Sequence, residues 1–142
     1  MNHYQQYLEG SVLSASPIEL VRMLYRFVID SLGDASRCTD AKDIEGRGKA
    51  VSKATEGIVE LLSSLDHSQG GGVSVSLAEL YGYCASRVLQ GHVDQDKAPF
   101  EEVEKLMSTM LQAWEGIGAE DTSAAPVYEP IPASYTPINA SY

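Results

Sequence analysis

The sequence predicts an all-α fold: an antiparallel four-helix bundle with an N-terminal lead segment and a disordered, Pro- and Tyr-rich C-terminal tail. Three observations predict it. Apolar residues recur at three- and four-residue spacing in four successive stretches. Helix-start signals precede the first and the last of them. The connections between the stretches are short, which favours antiparallel neighbours. The only alternating run, Val73 and Val75 among serines, is too short for a strand and sits beside three glycines.

Residues 1–15 form the lead segment, polar and aromatic, with Tyr4, Tyr7, Leu8, Val12 and Leu13. The bundle spans 16–117. Its first helix, 16 to about 40, opens with Ser16, Pro17 and Glu19, a capping box with Pro at the first helical position. On a helical wheel Ile18, Leu20, Val21, Leu24, Tyr25, Phe27, Val28, Ile29 and Leu32 fill an arc of roughly 200°, about twice the apolar stripe that a surface helix needs. Two readings account for it. The helix is buried on both sides by its own neighbours, or one side is left for a partner helix.

A turn at DAKD leads to the second helix, about 43–65. It carries a narrow seam of Ile44, Val51, Ile58 and Leu65, with Ala54 and Leu61 between. Gly46, Gly48 and Gly57 weaken it locally. DHSQGGG (66–72) breaks the chain. The third helix follows to about 90 through Leu77, Leu80, Tyr81, Cys84 and Val88, and Gly91 is placed to end it. Tyr81 is expected in the core and Tyr83 at its rim. Pro99 suits the first turn of the fourth helix, where Glu101, Glu102 and Glu104 complement the helix dipole. Its buried face reads Phe100, Val103, Met107, Met110, Trp114 and Ile117.

Composition changes after Gly118. No Lys or Arg follows Lys105, and YEPIPAS (128–134) is followed by YTPINAS (135–141) and Tyr142. Proline recurring every seven residues forbids a helix, so 118–142 reads as an extended tail. Either it is a solvating extension, or a tethered, weak occupant of the bundle's apolar groove with Tyr and Ile as anchors.

The 142 residues include 20 acidic and 10 basic ones, a net charge of −10. This argues against a surface that tracks nucleic-acid phosphates. Two cysteines are too few for a secreted disulfide framework, and Cys84 falls in an apolar pattern as a core residue. No signal-peptide pattern opens the chain and no apolar run is long enough to span a bilayer. A cytoplasmic, soluble protein with no membrane insertion is expected. The three histidines, at 3, 67 and 92, lack the Glu-x-x-His context of a dimetal bundle. GGG at 70–72 lacks the Lys and Ser/Thr of a phosphate loop. Neither a catalytic constellation nor a metal or cofactor site is expected, so the chain does not read as an enzyme.

Several segments in order resemble the flagellar secretion chaperones of the FliS type. They are Tyr4-Gln5-Gln6-Tyr7, then Ser11-Val12-Leu13-Ser14-Ala15-Ser16-Pro17, Leu20 and Met23-Leu24-Tyr25. The resemblance resumes at Ile58, Glu60-Leu61 and Ser64-Leu65-Asp66, and continues through Leu80-Tyr81, Tyr83 and Arg87 to Ala113-Trp114. It implies a cytoplasmic helical bundle that holds the C-terminal region of unpolymerised flagellin, prevents premature polymerisation and delivers flagellin to the flagellar export gate. The sequence departs from that pattern at Arg26-Phe27-Val28, at Pro99 and throughout the repeated tail. On this reading the partner-binding residues are Tyr4, Tyr7, Val12, Leu13, Ile18, Leu20, Leu24, Tyr25 and Val28. The rival reading is a homodimeric helical adaptor that binds another amphipathic helix.

Overall fold

The computed structural model describes residues 16–65 and 72–116. They form four helices and, among the described residues, no strand: α1 (Pro17–Asp40), α2 (Ile44–Ser63), α3 (Gly72–Asp94) and α4 (Ala98–Glu115). The expectations for the lead segment, for residues 66–71 of the 66–72 break, for Ile117 and for the tail lie outside the described residues; Gly72 already opens α3.

The start of α1 follows its capping signal. Ser16 Oγ accepts a hydrogen bond from the Glu19 amide at 3.1 Å, with Pro17 in the first turn. The Glu19 carboxylate turns instead to Arg22, whose Nη1 donates to it at 2.9 Å. The two short connections share one design. Lys42 and Gln95 take left-handed backbone, with φ of 59° and 56°. The amide following each reaches back to close the helix: Asp43 to the Cys38 carbonyl at 2.9 Å, and Asp96 to the Gly91 carbonyl at 3.0 Å. Each aspartate then accepts a hydrogen bond from the start of the next helix, Asp43 as the N-cap of α2 and Asp96 from just before the N-cap Lys97 of α4. Asp43 Oδ1 accepts from the Gly46 amide and Asp96 Oδ1 from the Ala98 amide.

These turns reverse the chain, and cross-bundle contacts confirm the antiparallel arrangement. Arg22 near the start of α1 meets Trp114 at the end of α4. Arg47 near the start of α2 meets His92 near the end of α3. Lys97 just before α4 pairs with Asp40 at the end of α1. The helices form a ring in which α1 packs on α2 and α4, and α3 packs on the same two.

The core confirms most of the expected buried faces. Val21, Leu24, Tyr25, Phe27, Val28 and Leu32 of α1 are buried, as are Val51, Ala54, Ile58, Leu61 and Leu65 in and just after α2. Tyr81, Cys84 and Val88 of α3 and Phe100, Val103 and Met107 of α4 complete it. Each such side chain contributes about 1.5–3 kcal/mol of transfer energy. At the centre the hydroxyls of Tyr25 and Tyr81 share a 2.7 Å hydrogen bond, their rings set edge to face. That bond satisfies a polar atom in each side chain where water does not reach.

Three expectations need correction. Ile44, assigned to the α2 seam, stands 62 % exposed at the helix start. Met110 and Trp114 are only half-buried. Gly91 does not end α3, which continues to Asp94. A Cβ at Gly91 would lie 2.9 Å from Phe100 and 3.0 Å from the Asp96 carbonyl. Glycine is there for close packing, and the left-handed cap falls to Gln95.

Candidate functional site

Most of the wide apolar arc of α1 is used up inside the fold. Phe27 and Val28 point to α2, where a Cβ on Gly57 would come within 2.5 Å of Val28 and 3.2 Å of Phe27. Tyr25 faces α4 with its ring centroid 6.3 Å from that of Trp114. Nine of the 24 residues of α1 are buried, against five of the 23 in α3.

Of the residues expected to meet a partner, Leu24, Tyr25 and Val28 therefore lie in the core. Ile18 and Leu20 are half-buried at the start of α1. Tyr4, Tyr7, Val12 and Leu13 lie outside the described residues.

Among the described residues, the apolar surface left without a partner lies on the opposite side of the bundle. In α3 the residues Val75, Ala78, Gly82, Ala85, Leu89 and Val93 follow one another at three- and four-residue spacing. They fill an arc of roughly 80° that contains no other residue of the helix. Val75, Leu89 and Val93 are 52 %, 58 % and 68 % exposed. A Cβ on Gly82 would meet nothing within 4 Å. The small residues in the middle thus floor a shallow trough with branched apolar side chains at its ends.

The adjoining edge of α2 is of the same kind. Gly48 marks the flank that faces α3, because a Cβ there would meet His92. Ile44, Thr55, Val59 and Leu62 lie within roughly 40° of it on the helical wheel, and Ile44 and Val59 are exposed. No charged residue falls on either stripe, although 21 % of the chain is Asp, Glu, Lys or Arg. The ionisable residues of α2 other than Arg47 (Glu45, Lys49, Lys53, Glu56 and Glu60) lie roughly 60–140° from Gly48 on the helical wheel, off the stripe. At the end of this face the buried Arg47 Nε donates to His92 Nδ1 at 3.1 Å, which fixes the imidazole as an acceptor at that nitrogen.

The other seams are polar. Arg22 donates through Nε and Nη2 to the Trp114 carbonyl, at 3.2 and 3.1 Å, closing the C-terminal end of α4. Arg26 pairs with Glu115 at 3.1 Å. A cleft between α1 and α4 is lined by Ile29, Asp30, Gly33, Asp34, Arg37 and Glu104. Burial there, reinforced by Glu101, pushes the Glu104 carboxyl above the usual carboxylate range. Across α3 and α4, Tyr83 and Arg87 both donate to Glu102, and these two hydrogen bonds hold its carboxyl below that range. Burial raises the Cys84 thiol to about 11, so it is a packing residue and not a nucleophile. Among the described residues no group of His, Cys, Asp or Glu is arranged to hold a metal ion. No described helix is long and apolar enough to cross a membrane.

Sequence reading missed the α2–α3 surface because it followed the best-buried stripe of each helix. The signal was present nonetheless: α3 carries a second three–four stripe beside its core stripe, and only Glu79, Arg87 and Asp94 are charged along its length.

Comparison with known proteins bears on this geometry. Residues 1–121 match a family model described as flagellar protein FliS. The chain is 37 % identical over 111 residues to the flagellar secretion chaperone FliS of Salmonella typhimurium, covering 78 % of this chain and 82 % of that one. It is 37 % identical over 109 residues to the Escherichia coli protein of the same name, covering 75 % and 79 %. Over 113 residues it is 29 % identical to the Bacillus subtilis FliS, covering 80 % and 84 %. With the helical bundle and a match that runs through all four helices, the chain belongs to the FliS family of flagellar proteins.

Proposed function

We propose that this chain is a cytoplasmic export chaperone that holds the C-terminal region of unpolymerised flagellin, and that the uncharged α2–α3 face is where that cargo lies. The relatives named flagellar secretion chaperones support the role. The observation that carries the site is the run of exposed Val75, Leu89 and Val93 along a face without a charged residue.

The mechanism is masking. A segment that later builds a filament presents apolar stripes, and free in solution those stripes self-associate. Laid on an uncharged trough they leave water without forcing a buried charge on either partner. Small residues in the trough let a cargo helix approach closely, and each buried Leu- or Ile-sized side chain contributes about 1.5–3 kcal/mol. Ordering the segment costs about 2–5 kcal/mol or more, so binding stays reversible, as handover to an export gate requires. No step in this mechanism needs a catalytic group. Tyr4, Tyr7, Val12, Leu13, Ile18 and Leu20 belong to the proposed contact as partner-binding residues. Leu24, Tyr25 and Val28 support it from within the core.

Titration of a flagellin C-terminal peptide by calorimetry tests this reading. Leu89→Asp is expected to keep the helical circular dichroism spectrum and to weaken binding by roughly 10–100-fold, the loss of one buried Leu contact. Unchanged affinity in a folded Leu89→Asp protein moves the cargo off this face.

A further inference from the structure

The family match stops at residue 121, and the repeat YEPIPAS-YTPINAS-Y begins at Tyr128. We propose that this repeat docks on the α2–α3 face of its own chain and competes there with cargo. The proposal rests on the reading of that face as the cargo surface, and three observations carry it.

The first is where the chain leaves the bundle. Arg22 and Arg26 hold the last turn of α4 against the start of α1. In the antiparallel arrangement this is also the end at which α2 finishes and α3 begins. Val75 thus lies at the near end of the trough, on a helix adjoining α4. Neighbouring helix axes lie about 8–10 Å apart. Eleven residues, 117–127, separate α4 from the repeat, and a chain of that length reaches roughly 17–20 Å on average. That length crosses α3 to the near end of the face without strain.

The second is a match of spacing. Seven residues of extended, proline-type backbone span about 22 Å. From Val75 to Leu89 is fourteen helical residues, about 21 Å. One repeat therefore reaches from one exposed apolar end of the trough to the other. Tyr128 falls beside Val75 and Tyr135 beside Leu89. The Glu-Pro-Ile-Pro-Ala-Ser between them crosses Ala78, Gly82 and Ala85, where the open space above Gly82 receives it.

The third is charge. Among residues 128–142 Glu129 alone is acidic and none is basic. A segment this nearly neutral loses little by lying on a surface with no charge to pair. Prolines at 130, 132 and 137 keep it from continuing as a helix and lower the entropy lost on docking. Tethering supplies an effective concentration around the millimolar range, so a weak contact suffices.

The test compares the full chain with a full-length variant carrying Tyr128→Ala and Tyr135→Ala, which leaves the bundle sequence intact. Methyl NMR spectra of Val75 and Leu89 are expected to differ between the two. Adding a synthetic peptide of residues 128–142 to the variant is expected to restore the wild-type shifts. The variant is also expected to bind a flagellin C-terminal peptide several-fold more tightly. Superimposable methyl spectra overturn the proposal. So do Val75 and Leu89 shifts that follow protein concentration equally in both proteins, which would assign the face to a second copy of the chain. The methyl comparison contains no cargo, so it stands or falls separately from the cargo reading, which Leu89→Asp tests.

Discussion

The α1–α4 side and the α2–α3 side of this bundle are built from the same kind of helix and end in opposite surfaces. Along α1–α4 the apolar residues are turned inward and the seam is closed by charge: Arg22 on the Trp114 carbonyl, Arg26 with Glu115, Lys97 with Asp40. Along α2–α3 the core stripe is equally complete, yet a second apolar stripe faces outward with no charge on it. Burial alone thus does not mark function in a helical bundle. The informative feature is exposed apolar surface that the fold does not need.

The largest expected difference between the two sides comes from one substitution made on each. Leu24→Asp places an unpaired carboxylate in the core, a change that costs several kcal/mol. Circular dichroism is expected to show loss of cooperative folding. Leu89→Asp, at a site 58 % exposed, is expected to shift stability by no more than about 0.5 kcal/mol. If both mutants unfold, the outward stripe is a structural element and the contrast collapses.

Two glycines sharpen the comparison at a smaller scale. Gly57 lies where α2 packs on Phe27 and Val28 of α1, and a Cβ there would sit 2.5 Å from Val28. Gly57→Ala is expected to destabilise the bundle by about 1–3 kcal/mol through overpacking, offset in part by better helix propensity. Gly82→Ala adds a methyl in open space. It is expected to stabilise by about 0.5–1 kcal/mol while filling the trough and weakening cargo binding. Urea unfolding of the two proteins reads the opposite signs directly.

The smallest effects concern two carboxylates two residues apart in α4, Glu102 on the α3 side and Glu104 in the cleft with α1. Tyr83 and Arg87 hold Glu102 below the usual carboxylate range. A lowered folded-state value means that its ionised form supports folding above the unfolded pKa, and the support is lost as pH falls through the folded value. Glu102→Gln is therefore expected to flatten the acid limb of the stability profile. Burial holds Glu104 above the range, so its charged form opposes folding at neutral pH and the penalty is relieved as pH falls. Glu104→Gln is expected to raise the thermal midpoint at pH 7 slightly and to leave it unchanged at pH 4. Thermal scans at the two pH values separate the cases, and parallel shifts for both variants would contradict the assigned environments.

Much of this protein was legible from residue order. Ser16-Pro17-x-Glu19 specifies a helix start because its groups satisfy local backbone amides, whatever lies elsewhere. The three–four spacing in α1 and α4 specified which faces turn inward, because periodicity and burial are tied by helix geometry alone. The three turn residues between α3 and α4 were not legible. Gln95 rather than Gly91 takes the left-handed position, since only the packed structure brings Phe100 against Gly91. Nor could the sequence distinguish a wide arc covered on two sides from one left open for a partner, because that depends on which helices are neighbours. Tertiary structure decided it. With α1 walled in by α2 and α4, its surplus apolar residues became core. The exposed stripe passed to α3, whose outer face no other described helix covers.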